Sequence, residues 1–119
     1  MNEDSNLKLI DKQLNAYNNK DIDLFLECWD KNAKIFLHPD TLVAEGTEEI
    51  KERHLIRFQE PNLFAKLISR TKFNGKIVDH ELVTRNFPEG KGTIEVLAIY
   101  EIMNHKISNA WFLMGEPKF

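Results

Sequence analysis

The stretch that decides the fold runs from Thr93 to Met114, TIEVLAIYEIMNHKISNAWFLM. Two runs rich in β-branched and aromatic residues flank Met103-Asn104-His105, the pattern of a long β-hairpin. Its turn decides which side chains face the core, because a one-residue change of register sends a strand's residues to the opposite face. A two-residue Asn104-His105 turn puts Tyr100 opposite Asn109 and Ala98 opposite Trp111. A three-residue turn with His105 left-handed pairs Tyr100 with Ser108, Ala98 with Ala110 and Val96 with Phe112. Asn tolerates positive φ better than His, so turn chemistry alone leaves both open.

Upstream, the chain alternates helical and extended patterns. Ser5 or Asn6 can cap a first helix carrying Leu7, Ile10, Leu14 and Tyr17 at helical spacing. Asp21 caps a short second helix with the apolar stripe Ile22, Phe25, Leu26 and Trp29. Lys34-Ile35-Phe36-Leu37 reads as a strand ending at His38-Pro39, because proline removes a ladder donor and holds its predecessor extended. A short strand at Leu42 to Ala44 follows. Thr47 caps a third helix whose apolar face is Ile50, His54, Leu55 and Phe58, with Pro61 stopping it. Four strands then succeed one another: Leu63 to Phe73, Lys76 to Arg85 and the two arms of the final hairpin. Asn74-Gly75 is the strongest turn signal among them.

The bulk numbers narrow the class. With 119 residues, the chain 1–119 fits one domain large enough to bury a core. A net charge of -3 argues against a nucleic-acid or anionic-membrane surface, since both need a basic stripe. The basic spot from Lys51 to Arg57 is interrupted by Glu52 and reads as a solvated helix face. A single cysteine, Cys28, excludes an internal disulfide and sits among large apolar residues, where it behaves as a small buried hydrophobe. The acidic start MNEDSNLKL lacks an apolar core segment and no run reaches membrane-spanning length, which places the protein in the cytoplasm.

No glycine-rich phosphate loop, Ser-His-Asp pattern or HExxH helix is present. The histidines stand out instead. In Ile77 to Arg85 one face carries Val78, His80, Leu82 and Thr84 and the other Asp79, Glu81, Val83 and Arg85; the more apolar first face is expected to point inward. His38, His54 and His80 then all face the sheet-helix interface. Strand alternation separates His80 from Asp79 and Glu81, and nothing in the spacing makes the three histidines converge, so no metal site is assigned. His54, one turn from both Ile50 and Phe58, is either a satisfied core histidine or a pocket group, because an unpaired buried ring costs roughly 1 to 3 kcal/mol.

Helices followed by a run of antiparallel strands make an α+β domain. The order resembles the NTF2-like superfamily, in particular its SnoaL-like and ketosteroid-isomerase-like members. The residues carrying the likeness are Leu14 to Asp23, Trp29 to Ala33, Glu45-Gly46-Thr47, Tyr100-Glu101-Ile102 and Lys106-Ile107. The resemblance implies three N-terminal helices packed on a curved, mostly antiparallel sheet, a cone whose mouth is a mostly apolar pocket, and frequent dimers. It also favours the three-residue hairpin turn. By the same resemblance, His38 before Pro39 stands where ketosteroid isomerases hold an aspartate base, His54 where they carry a pocket tyrosine, and Trp29 at another tyrosine. Their first-helix tyrosine donor aligns with Gln13, one turn from Tyr17, and their protonated acid with Ala98. Lacking both donors, the chain is not expected to be an efficient ketosteroid isomerase.

The expectation is therefore a small-molecule-binding protein that handles a hydrophobic carbonyl compound by acid-base chemistry of the isomerase, cyclase or dehydratase kind, without a cofactor. His38 would be the base, with His54, Tyr17 or Gln13 as polar partners. Phe25, Trp29, Phe36, Phe58, His80, Ala98, Tyr100 and Phe112 would line the pocket. The alternative is a non-catalytic binding or dimerisation module. In either case the outer sheet face, with Leu97, Ile99 and Trp111, suggests a homodimer interface.

Overall fold

A computed structural model describes residues 3–119. The first helix, α1 (Glu3–Asn18), is already running at Glu3, so Ser5 and Asn6 lie inside it rather than capping it. It buries Ile10, Gln13, Leu14 and Ala16 along one face. Asn18 closes it against the sheet, donating from Nδ2 to Ala65 O at 2.9 Å and accepting from Ala65 N at 2.8 Å. In α2 (Ile22–Glu27) the Asp21 carboxylate accepts from Leu24 N at 3.1 Å, the expected cap. Cys28 follows, fully buried.

Trp29 belongs to the first strand, β1 (Trp29–Leu37), not to the helix before it. A turn at the cis His38-Pro39 bond leads into β2 (Thr41–Glu45), which realises the short strand read at Leu42 to Ala44. The third helix, α3 (Gly46–Arg57), takes Glu45 rather than Thr47 as its N-cap. The capping side chain is Glu49, whose Oε1 accepts from Glu45 N at 2.8 Å. Gly46 supplies the φ of +83° that turns the strand into the helix. The buried face of α3 is Ile50 and His54, whereas Leu55 is 41% exposed.

The remaining strands are β3 (Phe64–Phe73), β4 (Lys76–Phe87), β5 (Gly90–Met103) and β6 (Lys106–Met114). They join one six-stranded sheet in the order β2-β1-β6-β5-β4-β3, antiparallel except where β1 runs parallel to β6. The three helices cover one face of it, and the chain has the α+β architecture expected of an NTF2-like cone. Among the described residues no helix is long and apolar enough to cross a membrane.

The decisive hairpin follows neither register in full. Asn104 and His105 have φ of 52° and 64°, so the turn has two residues and Met103 pairs with Lys106. This corrects the three-residue turn. A bulge then intervenes, because Ile102 pairs with Ile107 but Glu101 with Asn109, leaving Ser108 as the extra residue. Glu101 pins it, accepting from Ser108 Oγ at 3.1 Å and from Asn109 Nδ2 at 2.7 Å. Beyond the bulge Tyr100 faces Ala110 and Ala98 faces Phe112. The extra residue keeps Phe112 inside and sends Trp111 out, where it stacks on Phe36 at 5.7 Å.

In β4 the buried positions are Ile77, Asp79, Glu81 and Val83, the face opposite to the one read as inward. The register explains it. Only Pro88-Glu89 separates Phe87 from its partner Gly90, which brings Glu81 opposite Val96 and Asp79 opposite Ala98 on the inner face of β5. Both faces of β4 carry apolar residues, so alternation alone could not choose between them.

Candidate functional site

Between the helices and the inner sheet face lies a cavity of about 70 Å³. Of the residues expected to form the pocket, Gln13, Tyr17, Phe25, Trp29, His54, Tyr100 and Phe112 line it. The walls are aromatic. Phe25 packs against His54 at 4.4 Å and Trp29 at 5.7 Å between centroids, and Tyr100 meets Phe112 edge to face at 6.3 Å.

Five expected site residues fall elsewhere. His38 is exposed at the cis-proline turn, and among the described residues only its backbone N–H is tied down, to Phe112 O at 2.8 Å. The strand ends before it, so its ring does not reach the cavity. His80 lies on the outer face of β4, where its Nε2 meets Glu95 Oε2 at 3.0 Å. Phe36 is also on the outer face, because Ala33 and Ile35 take the inner positions of β1. Ala98 is fully buried in the core, too short to reach the cavity. Phe58 packs edge-on behind Tyr17 at 5.6 Å and supports the wall without lining it. The three histidines do not converge, and among the described residues no group of three His, Cys, Asp or Glu side chains is placed to hold a metal ion.

His54 is both things the sequence left open. Its Nδ1 donates to Ile50 O at 2.7 Å one turn back, while the ring faces the cavity. Burial among aromatic rings drives its pKa down to about 4, so the ring is neutral and Nε2 is left as an acceptor.

The residue missed by sequence reasoning is Glu81. It is 6% exposed, lines the cavity, and has no hydrogen bond or ion pair among the described residues. Burial, reinforced by the neighbouring Asp79 carboxylate, pushes its pKa up to about 7. Asp79 is the opposite case. Arg70 donates to it twice, Nε to Oδ1 at 2.7 Å and Nη2 to Oδ2 at 2.9 Å, and reaches Asp11 Oδ1 at 2.5 Å with Nη1. A bulge at Ile68 makes this possible, by setting Arg70 rather than Ser69 opposite Asp79. The legible signal was the pair of acids two residues apart in a strand bounded by Ile77 and Val83.

Two other polar groups on the cavity lack partners among the described residues. Gln13 Oε1 and Trp29 Nε1 are buried with no hydrogen bond among the described residues. Burial raises the pKa of Tyr17, partly offset by the charge and hydrogen bonding of Arg57, and more strongly that of Tyr100, keeping both phenols protonated. The basic stretch read as a solvated helix face is not one either. Arg53 and Arg57, one turn apart on α3, line the cavity together with Arg85 of β4. The same three arginines border a shallower cleft outside, which places them at the mouth.

Neither a protein-family model nor the sequence of a curated protein matches the chain. Its fold does match solved structures. An uncharacterised cystatin-fold protein from Novosphingobium aromaticivorans superposes with a TM-score of 0.83 at 23% identity, over 90% of this chain and 96% of that one. A protein from Shewanella denitrificans named as a SnoaL-like polyketide cyclase gives 0.80 at 11% identity, over 92% and 89%. A protein of ketosteroid-isomerase-like fold from Catenulispora acidiphila, solved with trimethylamine, gives 0.75 at 6% identity, over 87% and 82%. The chain thus has the fold of these SnoaL-like and ketosteroid-isomerase-like proteins, the fold expected from its sequence.

Proposed function

We propose that the protein is an acid-base catalyst for a hydrophobic carbonyl compound, of the isomerase, cyclase or dehydratase kind, with Glu81 in the role expected of His38. The observation that carries this reading is the unpartnered Glu81 carboxyl on an aromatic cavity, with a pKa near the pH at which a general base works best. Ionised Glu81 takes a proton from the carbon next to the carbonyl, and the C–H electron pair moves into the new C–C double bond. The carbonyl oxygen receives the charge and is met by the free Trp29 N–H and a tyrosine hydroxyl. Glu81 then returns the proton to a second carbon, or the enolate attacks a second carbonyl carbon, whose π electron pair moves to its oxygen, and Glu81 gives its proton to that alkoxide. These proton transfers need no redox partner.

The reading is tested by incubating small hydrophobic ketones with the protein in D2O and following deuterium entry at the carbon next to the carbonyl by NMR. Catalysed exchange that falls about a hundredfold or more in Glu81→Gln is expected. Equal exchange in the two proteins would remove Glu81 from the role.

A second reading, a non-catalytic ligand-binding module, is favoured by one observation: the His54 Nδ1 hydrogen bond to Ile50 O is internal. Under it, ketones bind but do not exchange. With either reading we propose a homodimer formed through the outer sheet face, where Ile99, Trp111 and Phe36 are partly covered and Leu113 is 46% exposed.

A further inference from the structure

We propose that the compound entering this cavity carries a carboxylate, and that Arg53 together with Arg57 holds it at the mouth. The inference rests on reading the cavity as a ligand site, but not on any reaction there.

Three arginines converge on the boundary between the cavity and the outer cleft, and one carboxylate, Glu60, answers them. Glu60 is largely committed to Arg85, accepting from Nε at 3.1 Å and Nη2 at 2.7 Å. A third bond goes to Asn86 N at 2.9 Å, and Arg57 Nε stands 3.5 Å from its Oε2. Arg53 has no ion pair among the described residues, although it is half-buried. Burial, and after it the charges of Arg57 and Arg85, hold its pKa below the usual arginine value. Glu49 and Glu52 lie on the outer cleft and not on the cavity, and Glu49 is occupied by Glu45 N.

The geometry favours a ligand with an apolar body and an acid at one end. Arg85 lies four residues beyond Glu81 on the same strand face, roughly 13 Å along it. An aromatic or alkyl group can therefore sit among Phe25, Trp29 and Tyr100 while the acid remains at the arginines. A planar guanidinium fork matches a carboxylate by two parallel hydrogen bonds.

The test is calorimetric titration of phenylacetate, 3-phenylpropanoate and hexanoate against their primary amides, at pH 8 and low salt. At least one acid is expected to bind about tenfold or more tightly than its amide, as a charge-assisted pair requires. That preference should vanish in Arg53→Gln, shown by circular dichroism to be folded, and shrink in 0.5 M salt. Equal binding of acid and amide, no binding of any acid, or a preference unchanged in Arg53→Gln would overturn the inference. Tighter binding of phenyl phosphate than of every carboxylate would also overturn it, assigning the mouth to phosphate esters. Deuterium exchange in the parent, repeated in Glu81→Gln, separates the two proposals. Acid preference in a parent that catalyses no exchange upholds the arginine site alone, and exchange in the parent that is lost in Glu81→Gln, without acid preference, upholds only the catalytic reading.

Discussion

Asp79 and Glu81 stand on the same inner face of β4, and Arg70 takes both oxygens of Asp79 while leaving Glu81 without a partner among the described residues. Two identical functional groups are thereby given different roles. The paired one is a strut, and the unpaired one is free to exchange a proton.

Removing the guanidinium leaves Asp79, 0% exposed, as an unpaired buried acid. Arg70→Met should cost about 3 to 5 kcal/mol of unfolding free energy in urea titrations. Arg70→Met with Asp79→Leu should recover most of that loss. A single mutant as stable as the parent would show that the pair is not a strut.

Glu81 and His54 impose opposite pH dependences on stability. The folded pKa of Glu81, about 7, is above the usual carboxylate value of 4.5, so its neutral form is favoured in the fold and stability falls as pH rises from 4.5 to 7. The folded pKa of His54, about 4, is below the usual 6.5, so stability falls as pH drops from 6.5 to 4. The two windows largely overlap and offset each other. Urea unfolding at several pH values should therefore show a rise in stability from pH 4 to 6.5 for Glu81→Gln and a fall from pH 4.5 to 7 for His54→Phe. Each change is on the order of 2 to 3 kcal/mol. Parallel curves for the parent and both variants would contradict these assignments.

Much of this was legible in the sequence because the signals are local. Asn74-Gly75 fixes its turn through two positive φ angles, and Asp21 announces α2 with a side chain that has one nearby donor to satisfy. The cavity walls Phe25, Trp29, Tyr100 and Phe112 follow from apolar periodicity and the closing hairpin. What failed depends on single-residue offsets. The bulges at Ile68 and Ser108 leave no compositional mark, yet one delivers Arg70 to Asp79 and the other keeps Phe112 inside. Glu81 and His80 were exchanged because both faces of β4 are half apolar and the Pro88-Glu89 turn sets the register. The family likeness puts His38 in the site, whereas the strand ends before its ring can turn inward.

The outer face makes a separate prediction. Trp111 stacks on Phe36 at an interplanar angle of 11°, forming a flat apolar patch beside Ile99. Sedimentation equilibrium should give a dimer for the parent and a monomer for Trp111→Lys, with ligand binding in the cavity retained. A monomeric parent at high concentration would remove the interface.

The most direct measurement is the titration of Glu81 itself, by NMR of protein labelled with ¹³C at the glutamate carboxyl carbons and assigned with Glu81→Gln. The expected result is one carboxyl resonance with a midpoint near 7, moved when a ketone fills the cavity. A midpoint at the ordinary value near 4.5, unmoved by any ketone, would mean that Glu81 is solvated or paired and would contradict its role as the base.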